Sequence, residues 1–331
     1  MTTQHLPLPR ILTGIRASGQ LHIGNYLAAV KPAVARQQGN ELFLFIADLH
    51  ALTTVKEPQK LREATYDVIA TYLAAGLDHT RHAIYLQSDI PTVTELAWYL
   101  SCVTGVGFLE KGHAYKDALA SQREVNHGVL YYPVLMAADI MLYEADIVPV
   151  GKDQKQHVEM ARDFAGSFNA VYGDVLKLPT AHIDESVMTV LGLDGRKMSK
   201  SYDNTIPVFC DSATLRKKVM SIKTDSTPLE APKTLQGTLV GDLFTLFASR
   251  EEWIDLASRL AAGGMGWGHA KDELFQAMNR ELTAPRERYE SYRADEPFLR
   301  QVVGEGADRA RAVADRVIGR VREAVGVLGR S

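Results

Sequence analysis

Residues Leu42–Ala47 read LFLFIA, an unbroken apolar run with no polar alternation. A strand with one wet face alternates, so this run fits a parallel strand covered by helices on both sides. The flanking sequence supplies such helices. Pro58–Ala75 places Leu61, Thr65, Val68, Ile69 and Tyr72 at helical period, with proline in the first turn and Gly76 at its stop. Ile11–Ile15, Ala83–Leu86 and Ile147–Val150 read as further strands. Gly24–Gln38, Thr92–Val103, Tyr132–Tyr143 and Asp153–Phe168 read as helices, and Thr92 and Glu95 have the spacing of a capping box. This alternation predicts an α/β fold with a doubly wound parallel sheet.

The pattern changes near Pro207. Ser212–Ile222, Thr238–Ser249, Glu251–Ala262, Lys271–Leu282, Pro285–Tyr292, Pro297–Val303 and Ala307–Val327 all read as helical. Two domains are expected, 1–206 with the sheet and 207–331 wholly α-helical, which suits 331 residues at roughly 150 per domain. Gly263–Gly268 reads as a flexible turn, a plain loop in the simpler reading and one that exposes Trp267 in the alternative. Cys102 and Cys210 lack CxxC spacing, which excludes a disulfide scaffold and a cysteine metal site. Two lone thiols fit reduced, buried side chains of a cytoplasmic protein. Apolar runs fall short of the roughly 20 residues of a membrane helix, and MTTQHLPLPR lacks the form of a secretory signal. A net charge of −3 gives no global attraction for nucleic acid, so such a partner requires local basic patches.

Two segments carry chemistry. In Gly14–Asn25 a strand ends at glycine, and His22 and Asn25 stand three apart on the first turn of a helix. Imidazole and amide then share a face at a helix N-terminus, where anions bind. Gly24 removes a Cβ where a flat ring can approach, and GxGxxG spacing is absent. A helix cap with an incidental histidine is the plainer alternative. In Gly195–Ser201, Lys197 and Lys200 flank Met198-Ser199 in a glycine-bounded loop. A mobile pair of cations suits charge developing on departing phosphates, whereas a solvated surface turn is the ordinary reading of KxxK.

HIGN at 22–25 and KMSKS at 197–201, in this order, resemble the two signatures of class I aminoacyl-tRNA synthetases. Between them, LMAADI at 135–140 and VPVGKDQKQH at 148–157 resemble the tryptophanyl-tRNA synthetase family, as do Arg286–Tyr289 and the helical tail. The resemblance implies a Rossmann-like catalytic domain and a C-terminal helical domain that reads the anticodon. It implies activation of L-tryptophan by ATP to the adenylate plus pyrophosphate, then transfer to the terminal adenosine of tRNA(Trp), by a homodimer without membrane attachment. Mg2+ would ride on the phosphates.

Under that resemblance His22, Asn25, Lys197 and Lys200 are the catalytic candidates. Arg16, Ala17, Ser18, Gly24, Asn25, Gly151, Lys152, Asp153, Val187, Lys197, Met198, Ser199, Lys200 and Ser201 would surround ATP. Tyr132, Met136, Asp139 and Tyr143 share one helical face: Met136 would contact the indole ring and Asp139 would accept its N–H. Gln154, with Tyr132, would hold the α-amino group, and His50, Val148 and Val150 would complete the tryptophan pocket. Asp48 would line the same crevice. Arg16 stands where many bacterial members have glutamine; it either reaches an oxyanion of the substrates or pairs with a neighbouring acid. Arg286, Arg288, Arg309, Arg311, Arg316, Arg320 and Arg322 form either a phosphate-tracking stripe or a salt-bridged face. A tyrosyl-tRNA synthetase, a nucleotidyltransferase and an inactive synthetase-like RNA-binding protein are the alternatives.

Overall fold

Parallel pairing builds the sheet from the segments whose apolar runs predict strands. The computed structural model describes residues 8–120, 125–151, 155–179, 181–183 and 189–328. Strand β1 (Arg10–Ile15) pairs with β2 (Glu41–Ile46) from Arg10–Glu41 to Ile15–Ile46, and β2 pairs with β3 (Ala83–Leu86). Leu42 through Ile46 are all buried, as the unbroken apolar run requires. Strand β4 (Val148–Val150) pairs with β5 (Ala181–Ile183), a three-residue strand that sequence reading passed over. A parallel bridge between Ile11 and Ile147, with the Leu12 N–H donating to the Ile147 carbonyl at 3.0 Å, sets β4 beside β1. The order is therefore β3-β2-β1-β4-β5, and the winding reverses between β1 and β4. Open sheets of this kind bind ligands outside the carboxyl ends of the strands at that reversal.

The first crossover consists of α1 (Ile23–Asn25), a π-helical turn Tyr26–Val30 and α2 (Lys31–Ala35), three pieces where one helix was expected. The second holds α3 (Asp48–Ala51) and α4 (Pro58–Ala74). After β3 come α5 (Thr92–Cys102), α6 (Val106–Leu109), α7 (His113–Ala120) and α8 (His127–Leu142), and α9 (Lys155–Tyr172) follows β4. The helical region contains α10 (Ser212–Met220), α11 (Leu239–Phe244), α12 (Arg250–Ala262), α13 (Trp267–Arg293) and α14 (Glu296–Val325).

Side chains alternate across the sheet into two cores. Ile11, Leu42, Leu44, Ile46 and Ile84 pack on α4 and, through it, on α10–α13. Leu12, Phe43, Phe45 and Tyr85 pack on α5, α8, α9 and the second half of α14. The first core contains Ile206, Val208 and Phe209, so it runs without interruption past residue 206. Helix α14 covers the open edge of β3, which protects it from pairing with other chains. Gly306 permits this contact, because a Cβ there would lie 1.9 Å from the Ile84 carbonyl oxygen.

Several local expectations give way to tertiary structure. No capping box opens α5: Pro91 holds the cap position, the Thr92 hydroxyl is buried without a partner, and Glu95 pairs with Arg322 at 2.6–2.7 Å. Helix α13 continues through Pro285, where two helices were expected, because its length is packed against α4 and α10. Helix α14 likewise joins two expected helices. Trp267 is buried at the start of α13, with its indole N–H donating to Asp225 at 2.8 Å, so the glycine turn does not present it to solvent. Cys102 is exposed and Cys210 half-buried, against the expectation of two core thiols. Among the described residues no helix is long and apolar enough to cross a membrane.

Candidate active site

The end of β1 leads into a turn that caps its own helix. His22 Nδ1 accepts the Asn25 N–H at 3.3 Å while Asn25 Oδ1 accepts the His22 N–H at 3.2 Å. By this reciprocal box the pair caps its own turn. It also decides the tautomer: with Nδ1 accepting, the proton of the neutral ring sits on Nε2. Burial, reinforced by the charge of Lys200, lowers the His22 pKa to about 4, so the ring is a neutral donor at pH 7.

The lysine loop folds onto this turn. The Gly24 N–H points at Met198 Sδ, 3.3 Å away, and Lys200 Nζ donates to the Ser18 carbonyl at 3.4 Å. Behind them the Ile23 N–H donates to the Ile206 carbonyl and the Val208 N–H to the Leu21 carbonyl, at 2.9 and 3.1 Å. Desolvation of its ammonium holds Lys200 below the usual lysine range, with the Asp67 carboxylate opposing. Asn204 organises the loop, a role the sequence reading missed. Its amide nitrogen donates to Asp194 and to the Lys197 carbonyl at 2.7 and 3.1 Å, and its oxygen accepts the Ser199 N–H at 2.8 Å. The Ser199 hydroxyl accepts the Ser201 N–H at 3.3 Å. Lys197 remains exposed, as do Arg16, Ser18 and Ser201, whereas Ala17 is buried.

On the other side of β1, helix α8 brings a carboxylate into the protein. Asp139 is 1% exposed, and its Oδ2 accepts from Gln87 Nε2 at 2.7 Å and from His50 Nε2 at 3.1 Å. Gln87 Oε1 in turn accepts the His50 N–H at 3.3 Å. Among the described residues nothing donates to Asp139 Oδ1. Burial raises the Asp139 pKa, and the bonds from His50 and Gln87 pull against it. Gln87 escaped the sequence reading because a lone glutamine after an apolar strand forms no local pattern; its partners lie 37 and 52 residues away.

Tyr132 and Met136 are half-buried on α8; the Tyr132 hydroxyl lies 2.5 Å from His157 Nε2, and its ring meets His50 edge-on at 6.1 Å. Tyr143 does not join this wall. It follows the last turn of α8 and packs in the core, 5.7 Å from the Phe43 ring and 5.5 Å from Tyr85. Val148 and Val150 are buried in β4, with Gly151 next in the chain. Lys152, Asp153, Gln154 and Val187 lie outside the described residues. Among the described residues Arg16 has neutral partners, donating to the His50 carbonyl at 3.2 Å and to Thr53 Oγ1 at 2.8 Å, and not the neighbouring acid of one expectation. Asp48 accepts from Ser88 N–H at 3.1 Å and from its hydroxyl at 2.5 Å, joining the ends of β2 and β3.

Most arginines of the tail serve the fold. Arg288 donates to the Ala74 carbonyl at the end of α4, Arg309 to the carbonyls of His79, Thr80 and His82, and Arg311 to that of Asp89. Arg320 and Arg322 pair with Glu144 and Glu95, Arg286 donates to Asn279, and Arg316 to the Ala312 carbonyl of its own helix. The salt-bridged reading of this stripe therefore accounts for Arg320, Arg322 and Arg311, which also pairs with Asp308 at 2.7 Å, and carbonyl capping for Arg288 and Arg309.

A sheet wound in this order, a histidine-capped turn at the end of its first strand and a lysine loop folded onto that turn define a class I tRNA synthetase. The chain belongs to this family: the tRNA synthetases class I (W and Y) match residues 7–283. Among its relatives, the tryptophan--tRNA ligase of Fusobacterium nucleatum is 46% identical over 323 residues, spanning 97% of this chain and 99% of that protein. The crystal structure of tryptophanyl-tRNA synthetase from Campylobacter jejuni complexed with ADP and tryptophan superposes with a TM-score of 0.92 at 42% identity, covering 96% of this chain and 100% of that one. The enzyme of Mycoplasma pneumoniae aligns with a TM-score of 0.79 at 28% identity over 97% of this chain and 98% of its own.

Proposed function

We infer that the chain joins L-tryptophan to tRNA(Trp) in two steps at one site. The tryptophan carboxylate attacks the α-phosphorus of Mg·ATP, the bond to the β-phosphate breaks, and pyrophosphate leaves. The acyl group of the adenylate then passes to a ribose hydroxyl of the terminal adenosine, releasing AMP. The observation that carries the amino-acid assignment is Asp139, buried with both its bonds on Oδ2. Its second oxygen suits an indole N–H, with Met136, Val148 and Val150 against the ring and Tyr132 and Gln154 toward the α-amino group. Phenylalanine would leave that oxygen unpaired, a penalty that yields discrimination on the order of 10⁴–10⁵.

At the phosphates the reading needs donors without a covalent nucleophile. Neutral His22 supplies Nε2–H, Asn25 its amide, Lys197 and Lys200 their charge, and Arg16 a guanidinium that suits an oxyanion. Gly151 and Asp153 are assigned to the ribose, and Ala17, Ser18, Gly24, Lys152, Val187, Met198, Ser199 and Ser201 to the walls of the ATP site. Mg2+ enters with ATP as part of the substrate; among the described residues no group of three or more His, Cys, Asp or Glu is placed to hold an ion. Residues 1–206 carry this chemistry and 207–331 contact the anticodon arm in this reading. A homodimer seam along α5 and α6 accounts for Trp98 and Val106, which are 65% and 62% exposed.

ATP–pyrophosphate exchange tests the assignment. Tryptophan should support exchange, and tyrosine and phenylalanine should fall short of it in kcat/KM by about 10³-fold or more. Equal exchange with tyrosine, or none with tryptophan, overturns it.

A further inference from the structure

Asp67, on α4, takes no part in the chemistry described above, yet it is buried and both its oxygens are used. Oδ2 accepts the Leu21 N–H at 3.0 Å, and Oδ1 accepts the hydroxyl of Tyr289. Tyr289 belongs to α13, far along the chain, and its ring continues in a second direction. It lies 5.2 Å from the Phe209 ring, which meets Tyr26 edge-on at 5.8 Å. Leu21 immediately precedes the His22–Asn25 turn and Tyr26 immediately follows it. One side chain of the helical region therefore holds both ends of the turn, by a polar branch through Asp67 and an apolar branch through Phe209. The Asp67 carboxylate also lies within electrostatic reach of Lys200.

We propose that Tyr289 is a positioning residue for the activation step. By fixing both ends of the His22–Asn25 turn, and through Asp67 the field at Lys200, it sets donors against the transferring phosphoryl group. The proposal rests on the reading of this site as one that activates an amino acid with ATP. Misplacement of a reacting group by about 1 Å lowers rates by on the order of 10²-fold, so a loosened turn acts on kcat. The pocket around Asp139 belongs to the other core and keeps its geometry.

Tyr289→Phe removes the hydroxyl and keeps the ring on Phe209. In pyrophosphate exchange, normalised to active sites by the adenylate burst, kcat should fall about tenfold while KM for tryptophan stays within about twofold. Phe209→Leu, which keeps the hydroxyl bond and breaks the ring contact, should lower kcat about threefold with the same unchanged KM. A kcat within twofold of the parent for Tyr289→Phe, or a loss that resides in tryptophan KM or in the fraction of active sites, overturns the proposal. Should Tyr289→Phe not fold, an unchanged kcat for Phe209→Leu overturns it equally. The parent chain run alongside separates the two readings: absence of tryptophan-dependent exchange there refutes the function, whereas the variants judge the role of Tyr289.

Discussion

Asp139 and Asp67 are both carboxylates that folding removes from water, and burial raises the pKa of each. Each accepts two hydrogen bonds, but they distribute them differently. Asp67 takes one bond on each oxygen and ties a loop of the first crossover to α13. Asp139 takes both on Oδ2, from Gln87 and His50, and no described residue donates to Oδ1. An ionised carboxylate has about four acceptor positions, and leaving any of them dry is expensive in a low-dielectric interior. One bond on each oxygen makes Asp67 a structural tie, whereas the proposed reading of Asp139 uses the oxygen to which no described residue donates. In the proposed reading the same residue type, buried in both places, serves as scaffold in one core and as recognition in the other.

The sharpest way to break this contrast is Asp139→Ala. If Oδ1 is the indole acceptor, the substitution should lower kcat/KM for tryptophan on the order of 10²–10³-fold and shrink the preference over phenylalanine by a similar factor. A loss below tenfold, or one shared equally by phenylalanine, would make Asp139 a structural tie like Asp67. On the other side of the comparison, Lys200→Ala removes the cation that Asp67 faces. It should lower kcat for pyrophosphate exchange by about 10²-fold, with KM for tryptophan within threefold of the parent. Parallel losses in kcat and tryptophan affinity would show that the two regions are not separable.

The sequence was most readable where function requires a local arrangement. The HIGN turn, the KMSKS loop, the apolar run of β2 and the acid embedded in LMAADI each occupy a few adjacent residues, and each falls where its spacing implies. What escaped reading depends on partners distant along the chain. Gln87 and Asp67 are single polar residues whose meaning lies in bonds to partners 37 or more residues away, so no window of ten residues exposes them. Thr92 and Glu95 show the reverse error. Their spacing fits a capping box, but Arg322 arrives from α14 and takes the carboxylate, and the Thr92 hydroxyl is left buried. Pro285 is misread for a related reason: the helix-breaking tendency of proline is local, and packing of α13 against α4 and α10 overrides it.

Proton uptake gives the gentlest test, because it perturbs the two regions in opposite order along one pH scale. Burial raises the Asp139 pKa, so as pH falls this carboxylate takes up a proton before an ordinary aspartate would. Its charge is lost, the indole N–H faces a weaker acceptor, and tryptophan affinity should decline with a limiting slope of about tenfold per pH unit below that pKa. His22 behaves oppositely. Burial lowers its pKa to about 4, below the ordinary imidazole range, so the ring stays neutral and keeps its Nε2–H down to that pH. As pH falls from 7 toward the His22 value of about 4, at saturating Mg·ATP, KM for tryptophan should therefore begin to rise before kcat at saturating tryptophan changes by more than about twofold. A flat KM with a falling kcat would place the titrating group at the phosphate donors, and the unfilled oxygen of Asp139 would lose its claim to be the receptor.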